Sequence, residues 1–174
     1  MAKSRVLAES LFIRQHVTTS DTTYQTEQMD LSAYVDVTEG ELLRLKRVFW
    51  DICSDSGFVA IGTGHIGSTE SLSMTMQLTA NEETSIISAQ DGSVVAKCYF
   101  YYGTDATPEI TFITKMPDLD PGNFSNGMLI ASQNLHVAVD SNISLSGELR
   151  ITAICEFEVV KVSMADALAA AQSY

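Results

Sequence analysis

Cysteine and histidine are scarce in this sequence, with three of each in 174 residues. No CxxC pair and no Cys/His cluster occurs, so zinc binding and thioredoxin-type redox chemistry are poorly supported, and the odd cysteine count argues against a disulfide framework. All three cysteines fall in strand-like segments, which predicts buried free thiols at Cys53, Cys98 and Cys155. The histidines are too dispersed for a metal site, and His136 is expected to be a partly exposed strand residue.

Basic residues and long apolar runs are scarce as well. Ten Lys and Arg stand against 22 Asp and Glu, which gives a formal net charge of −12. Because phosphate backbones select basic surfaces, this balance argues against direct nucleic-acid binding. No run approaches the roughly 18 apolar residues of a membrane-spanning helix. The N-terminal segment meets Glu9 and Arg14 before any apolar core of useful length, so we expect no export signal.

Signatures of catalysis are also missing, because neither a GxSxG elbow nor an HExxH helix occurs. The one formal GxGxxG, at Gly62, Gly64 and Gly67, precedes the alternating segment SLSMTMQLT, whereas dinucleotide binding requires a helix there. We interpret it as a glycine loop between two strands. Two carboxylate pairs are interpreted as ordinary surface residues, namely Asp51 with Asp55 and Asp118 with Asp120. The sequence therefore predicts no enzyme, no catalytic residue, no cofactor and no metal.

The dominant pattern is a long alternating run near the C-terminus, LSGELRITAICEFEVVKV at 145–162. Apolar residues recur at every second position from Leu149 to Val159, and polar residues such as Arg150 and Glu156 fall between them. This is the period of a half-buried β-strand. A strand of this length needs partner strands and a second layer against which to bury its apolar face. We predict that it lies centrally in its sheet, because an apolar strand at an edge would invite aggregation.

Similar alternation predicts further strands, separated by turn-forming residues. They cover Leu11 to Val17, Tyr24 to Val37, Glu41 to Cys53, Leu72 to Leu78, Thr84 to Ser88, Val94 to Tyr102, Glu109 to Lys115 and Met128 to Val139. In the third of these the alternation slips by one residue near Lys46 and Arg47, which indicates a β-bulge. Bent strands are typical of sandwiches, so the sequence predicts an all-β antiparallel sandwich of eight or nine strands.

One domain is expected over residues 1–174, with an N-terminal arm at 1–8 and a C-terminal tail at 164–174. The arm carries two cations, Lys3 and Arg5, on a segment predicted to form a partial helix. The tail is a short Ala-rich helix with Ser163 as its N-cap. Its apolar stripe comprises Met164, Ala167, Leu168 and Ala171. A helix this short needs a docking surface, either its own sandwich or a neighbouring subunit.

Four consecutive aromatic residues occupy positions 99–102, which places aromatic rings on both faces of one strand. The inward pair can fill the core, whereas the outward pair stays exposed unless another surface covers it. This pattern favours a subunit contact. The candidate assembly-contact residues are Lys3, Arg5, Tyr99, Tyr101, Met164 and Leu168.

The layout of the chain resembles that of the single jelly-roll major capsid proteins of tailless icosahedral viruses of archaea and bacteria. The stretches that carry the resemblance are DLSAYVDVTEGELLRLKRVFW at 30–50 and VVKVSMADALAAAQ at 159–172. The resemblance implies a single jelly-roll sandwich with a short C-terminal helix, self-assembly into capsomers, and termini that bridge subunits or approach an internal membrane. The strongly basic arm of small RNA-virus jelly rolls is absent here.

The resemblance thus implies a capsid subunit of an icosahedral shell, whose partners are itself, other capsid proteins and an internal membrane surface. It also implies location in the virion after synthesis in the host cytoplasm. The alternative is a non-enzymatic jelly-roll module that binds carbohydrate or protein. A third possibility is a nucleotide-dependent enzyme that uses the glycine loop at 62–67.

Overall fold

The computed structural model describes residues 5–7, 10–61, 65–66, 71–104 and 111–172. Within these ranges the chain forms ten strands, a 3₁₀ turn and one helix: β1 (Arg5–Val6), β2 (Leu11–Thr19), β3 (Gln25–Asp30), β4 (Glu41–Ser54), β5 (Leu72–Thr79), β6 (Val94–Thr104), β7 (Thr111–Leu119), the turn Pro121–Asn123, β8 (Met128–Ile130), β9 (Asn134–Ser141), β10 (Leu149–Lys161) and α1 (Met164–Ala171). No helix in the described ranges has the length and apolarity needed to cross a membrane.

The strands form two five-stranded antiparallel sheets. In sheet A, β10 lies between β2 and β4, β8 follows β4, and β1 pairs with the end of β10 next to β2. In sheet B the order is β3, β9, β5, β6 and β7. The prediction that the closing strand lies centrally is therefore confirmed, because β10 has partners along both of its edges.

The strand order identifies the sandwich as a jelly roll. Without β1 and β7, eight strands remain, and they pair first with last, second with seventh, third with sixth and fourth with fifth. The chain is thus a long hairpin folded back on itself, and the pairs β4–β10 and β5–β9 roll that hairpin into two sheets. This double Greek key is the jelly-roll topology. The predicted fold class is confirmed.

The core lies between the two sheets and is built from the alternation seen in the sequence. Along β10 the inward side chains at Leu149, Ile151, Ala153, Cys155 and Phe157 are fully buried. Facing them from sheet B are the inward residues of β5, namely Leu72, Met74, Met76 and Leu78, which are also fully buried. Burial of each large apolar side chain contributes roughly 1.5–3 kcal/mol, so this layer dominates the stability of the fold.

The predicted β-bulge is present in β4. Glu156 of β10 pairs with Arg47, whereas the next residue, Phe157, pairs with Leu45, so Lys46 is the extra residue. The insertion lets Leu45 and Val48 both point into the core although three positions separate them. A bulge bends its strand, and here the bent β4 spans the full length of β10.

Two predicted strands differ in extent from the observed ones. The segment 128–139 contains no strong turn residue, yet it is divided into β8 in sheet A and β9 in sheet B. The chain crosses between the sheets at Ser132, whose hydroxyl donates to the carbonyl of Asn134 at 2.6 Å and turns the backbone. The second predicted strand, 24–37, ends at Asp30, whose carboxylate accepts from the backbone N–H of Ser32 at 2.9 Å.

The remaining shifts are smaller. The strand predicted at 109–115 is observed as β7, at 111–119. The partial helix predicted for the arm is wrong where the structure describes it, because Arg5 and Val6 extend sheet A opposite Lys161 and Val160. The predicted cap of the tail helix is confirmed, since the Ser163 hydroxyl accepts from the backbone N–H of Asp166 at 3.2 Å.

Candidate assembly surfaces

Tyr99 and Tyr101 point away from the core on the outer face of sheet B. The alternation along β6 buries Phe100 and Tyr102, which are 6% and 3% exposed, and leaves Tyr99 and Tyr101 37% and 41% exposed. The sequence predicted these two orientations, and the structure agrees. The pair forms an aromatic patch on β6, the strand next to the edge strand β7.

Neighbouring groups hold both tyrosine rings in place. The ammonium of Lys97 lies 5.4 Å from the centroid of the Tyr99 ring, within the range of a cation–π contact. The Tyr101 ring lies over Gly103, where an added Cβ would come within 2.7 Å of ring atoms. Their partners on β5 are the small residues Thr75 and Ser73, which do not cover the rings. These contacts restrict the rotamers of the two exposed rings, and such restriction lowers the entropic cost of association.

The segment 80–93, here called the strap, covers the outer face of sheet B beside the tyrosines. The strand predicted at 84–88 is wrong, because these residues form irregular structure within the strap. Gln77 and Lys97 point outward beneath it but are buried, with 0% and 5% exposure. The Gln77 amide donates to the Ser85 carbonyl and accepts from the Ile87 N–H, both at 3.1 Å. Side chains thus supply the hydrogen bonds that a partner strand would otherwise provide.

The tail helix docks on its own sandwich through Ala167 and the partly buried Ala170. Ala167 is fully buried in the core cluster, whereas Met164 and Leu168 are 50% and 49% exposed. The predicted stripe is therefore wrong in part, because Ala171 is exposed too and Ala170 is the residue packed beside Ala167. The smaller side chains allow close approach to sheet A, and the two larger ones remain on the solvent side.

The other candidate contacts lie in the arm. Lys3 falls outside the described residues, and for Arg5 only the backbone is described, paired with Lys161. The tyrosines belong to sheet B, while Met164 and Leu168 follow the last strand of sheet A. The structure therefore distributes the candidate residues over two layers of the sandwich.

A third exposed apolar surface was missed at the sequence level. Phe12 of β2 and Phe49 of β4 point outward from sheet A and are 51% and 46% exposed, with Ile154 of β10 between the two strands. Both phenylalanines stand in apolar runs, LFI and VFW, whose neighbours face the core. A strand with one solvent-exposed face alternates apolar and polar residues, so the central position of each run would be expected to be polar. The phenylalanine at that position is the signal that could have identified this surface.

Charged residues surround this apolar surface on the outer face of sheet A. Arg44 pairs with Glu158 at 3.4 Å, and Arg47 lies 3.9 Å from Glu156. At the far end of β10, Arg150 forms a 2.7 Å ion pair with a carboxylate of the turn after β4 and lies 4.9 Å from the centroid of an aromatic ring in that turn. These partners are Asp55 and Phe58. The face is therefore a mixture of aromatic groups and ion pairs.

A cavity of about 260 Å³ opens between the sheets where β4 and β7 form the edge. It is lined by Val48, Phe49, Trp50, Cys98, Pro117, Leu119 and Asp120. Asp120 is occupied as a cap of the 3₁₀ turn, where its carboxylate accepts from the backbone N–H of Gly122 at 2.8 Å. The lining is mostly apolar, so the cavity is suited to packing rather than to acid–base chemistry.

The cysteines and carboxylates do not assemble a reactive centre in the described part of the chain. Burial raises the pKa of the Cys155 thiol to about 12, and burial is also the main cause of the raised pKa of Cys53. Both thiols are therefore protonated near neutral pH and are weak nucleophiles. All three cysteines are buried and free, as predicted. No cluster of three or more metal-ligating side chains exists among the described residues.

The remaining sequence motifs lie only partly within the described residues. Gly62, Gly64 and Gly67 lie outside the described residues. Between them, Ile66 is buried, and the carbonyl of His65 accepts from the backbone N–H of Ser146 at 3.0 Å. His136, on β9, is partly exposed as predicted. The side chain of Asp118 is not described.

No protein-family model and no curated protein sequence matches the chain. Among solved structures, VP1 of Trichodysplasia spinulosa-associated polyomavirus, in complex with sialylated glycooligomers, is similar over 91% of this chain and 100% of that chain, with 12% identity and a TM-score of 0.41. The Desmodium yellow mottle tymovirus structure is similar over 88% of this chain and 89% of that chain, with 11% identity and a TM-score of 0.34. Both scores lie below 0.5, so the fold assignment rests on the strand order.

Proposed function

We propose that this chain is a non-enzymatic capsid subunit that self-assembles into the capsomers of an icosahedral shell. The observation that carries the proposal is the exposed aromatic pair, Tyr99 and Tyr101, on the outer face of sheet B. Tyrosine is among the residues enriched where protein–protein contacts gain most of their binding energy. The jelly-roll topology supports the proposal, because viral capsid domains are one of the groups of proteins built on this fold.

The finer assignment is to the tailless icosahedral viruses of archaea or bacteria. Its support is the resemblance of segments 30–50 and 159–172, which form the approach to β4 with its bulge and the closing strand with its helix. The subunit would then reside in the virion after synthesis in the host cytoplasm, with other capsid proteins as partners. The net charge of −12 argues against genome contact over the whole surface. An arm with Lys3 and Arg5 suits acidic neighbours or lipid head groups instead.

The test is assembly of the purified full chain, observed by negative-stain electron microscopy. Wild-type protein is expected to form regular particles. The double variant Tyr99→Ser with Tyr101→Ser should remain folded, because both side chains are exposed, and should lose the particles. Each lost aromatic anchor is expected to weaken the contact about 30-fold or more, the effect of a residue worth at least about 2 kcal/mol.

The matched control is Tyr34→Ser, which removes a tyrosine of similar exposure, 42%, from the loop after β3. It should leave assembly unchanged. Wild-type protein that never assembles contradicts the proposal. A discrete monomer that binds glycans would favour the carbohydrate-binding alternative, and cofactor binding abolished by Gly64→Val would favour the nucleotide-dependent enzyme.

A further inference from the structure

The outer face of sheet A presents three strands side by side, with aromatic groups exposed on both flanks of β10. The registers of β2 and β4 against β10 define three level rows across this face. The rows are Phe12–Glu156–Arg47, Arg14–Ile154–Phe49 and His16–Thr152–Asp51. Residues paired directly across antiparallel strands point to the same side of the sheet, so all nine side chains share the outer face.

Each flank residue has a complement on the opposite flank of its own row. Phe12 and Arg47 are an aromatic ring and a cation, and so are Phe49 and Arg14 in the next row. In the third row the imidazole of His16 on β2 can donate a hydrogen bond to the carboxylate of Asp51 on β4. Within one chain these partners are about 10 Å apart, because β10 separates their strands and neighbouring strands are about 4.8 Å apart. They therefore cannot satisfy one another within one subunit.

We propose that this face binds a second copy of the same chain about a two-fold axis parallel to β10. Such a rotation keeps every row level and exchanges the flanks, so β2 of one copy lies over β4 of the other. Phe12 then faces Arg47 of the second copy, Arg14 faces Phe49, and His16 faces Asp51. Every one of these contacts occurs twice, because a two-fold contact is self-complementary. Ile154 lies on the axis and packs against Ile154 of the second copy.

The complementary rows favour this axis over the other face-to-face arrangement. A two-fold axis perpendicular to the strands through Ile154 would place Arg14 opposite Arg14 of the second copy, and like charges in direct opposition are destabilising. That arrangement gains a contact between Arg47 and Asp51 but loses both cation–π contacts and the hydrogen bond of the third row. The parallel axis brings Arg150, Glu156 and Glu158 of β10 opposite themselves, and each of them already has an opposite charge of its own chain at 2.7 to 3.9 Å.

The proposal rests on the self-association proposed above and adds the partner surface and its symmetry. The outermost Cα atoms of the three rows span roughly 10 Å by 14 Å. A standard interface buries about 800 Å² per partner. The contact is therefore expected to be weak between two isolated chains and to be reinforced by the other contacts of a shell.

The test exchanges the donor and the acceptor of the third row. His16→Glu places two carboxylates opposite each other, and Asp51→Arg removes the acceptor and places a guanidinium, which can only donate, opposite the imidazole. Each single variant is expected to lower the association constant, measured by sedimentation below the concentration of particle formation, at least about tenfold. The double variant creates an opposite-charge pair across the contact and should recover wild-type association to within about threefold. Both side chains are exposed, so folding, checked by thermal unfolding, should be unchanged.

The matched control is Glu41→Lys, which changes the charge by the same amount as Asp51→Arg but lies at the end of sheet A beside Lys161. It should leave association unchanged. A double variant that stays as weak as the singles, or wild-type protein that is monomeric up to about 1 mM, overturns this inference. If wild-type particles form and the single variants assemble equally well, this contact is wrong and the proposed function stands. If no particles form but the exchange variants behave as expected, the proposed function is wrong and the two-fold contact stands.

Discussion

Lys97 donates its buried ammonium to the backbone carbonyl of Ile87 over 2.7 Å, and this bond fastens the strap to the outer face of sheet B. On the neighbouring strand, Gln77 accepts from the N–H of the same residue at 3.1 Å. One residue of the strap is thus held at both of its backbone polar groups by side chains. The same ammonium of Lys97 lies 5.4 Å from the centroid of the Tyr99 ring, so one side chain contacts both the strap and the aromatic patch.

Replacing Gln77 by Leu should loosen the strap without unfolding the sandwich. The change leaves the partly buried N–H of Ile87 and the carbonyl of Ser85 without their amide partner, and loss of a typical hydrogen bond costs about 0.5–1.5 kcal/mol. We expect a lower free energy of unfolding and faster amide hydrogen exchange at Ile87. The control is Gln28→Leu, which removes an exposed amide on the same sheet and should change stability by less than about 0.5 kcal/mol. Equal effects of the two variants would contradict this role of Gln77.

Gly40 and Gly57 allow the backbone strain of a side chain at positive φ to be measured separately from its steric contacts. Both have left-handed backbone conformations, with φ of +70° and +83°. An added Cβ at Gly40 would lie 2.6 Å from the carbonyl oxygen of Val162, whereas at Gly57 it would meet nothing within 4 Å. We expect Gly57→Ala to cost about 1–2 kcal/mol from backbone strain alone, and Gly40→Ala to cost clearly more. Thermal unfolding measures both, and equal losses would show that the contact with Val162 relaxes freely.

Cys155 should make stability fall in alkaline solution. Burial raises its pKa to about 12 in the folded chain, whereas an unfolded thiol titrates near about 8.5. Below that value the thiol is protonated in both states, and between the two values the unfolded chain releases the proton first. This group therefore removes up to about 1.4 kcal/mol per pH unit across that window.

The comparison for this prediction is Cys155→Ala, studied by chemical unfolding from pH 7 to pH 10. The variant should be less stable at pH 7 because of the cavity it leaves. Its disadvantage should shrink as the pH rises, because the alanine protein lacks the thiol titration. A gap that stays constant over this range would show that Cys155 titrates alike in both states.

Much of the fold follows from local patterns that the sequence displays openly. The alternation from Leu149 to Val159 predicts a strand with one face buried against a second sheet. The slip in the alternation near Lys46 predicts the β-bulge in β4, the strand that pairs with it. The division of 128–139 was not predictable in this way, because Ser132 turns the chain with a side-chain hydrogen bond rather than with a glycine or proline. The prediction of a strand at 84–88, within the strap, was wrong for a related reason. The side chains that bind the backbone of Ile87 come from strands β5 and β6, far from it in the local pattern.

The candidate surfaces were predictable only where a strand carries more consecutive aromatic residues than its core-facing side can bury. Four consecutive aromatics cannot all face inward, so Tyr99 and Tyr101 could be identified as outward residues. Phe12 and Phe49 escaped because each is flanked by apolar neighbours that do belong to the core. Their positions in adjacent rows on the two sides of β10 depend on strand register, which single-strand patterns do not contain.

The last prediction concerns the tail helix, which has a buried apolar side at Ala167 and an exposed apolar side at Met164 and Leu168. Ala167 is fully buried against the sandwich, so Ala167→Glu should expel the helix and lower the free energy of unfolding by about 2–4 kcal/mol. Met164 and Leu168 are about half exposed, and the double variant Met164→Gln with Leu168→Gln should leave unfolding nearly unchanged. If these side chains contact a neighbouring subunit, the double variant should nevertheless weaken particle formation.

Three measurements on the full chain test this division of roles: thermal unfolding, helix content by circular dichroism, and particle yield by electron microscopy. A lower particle yield from the double glutamine variant, with unchanged unfolding, would assign the outer side of α1 to subunit contact. An unchanged yield would show that the helix serves its own sandwich only, and the contact would then lie on the sheet faces. Unfolding of the double variant at lower temperature would show that Met164 and Leu168 stabilise the monomer, contrary to their exposure.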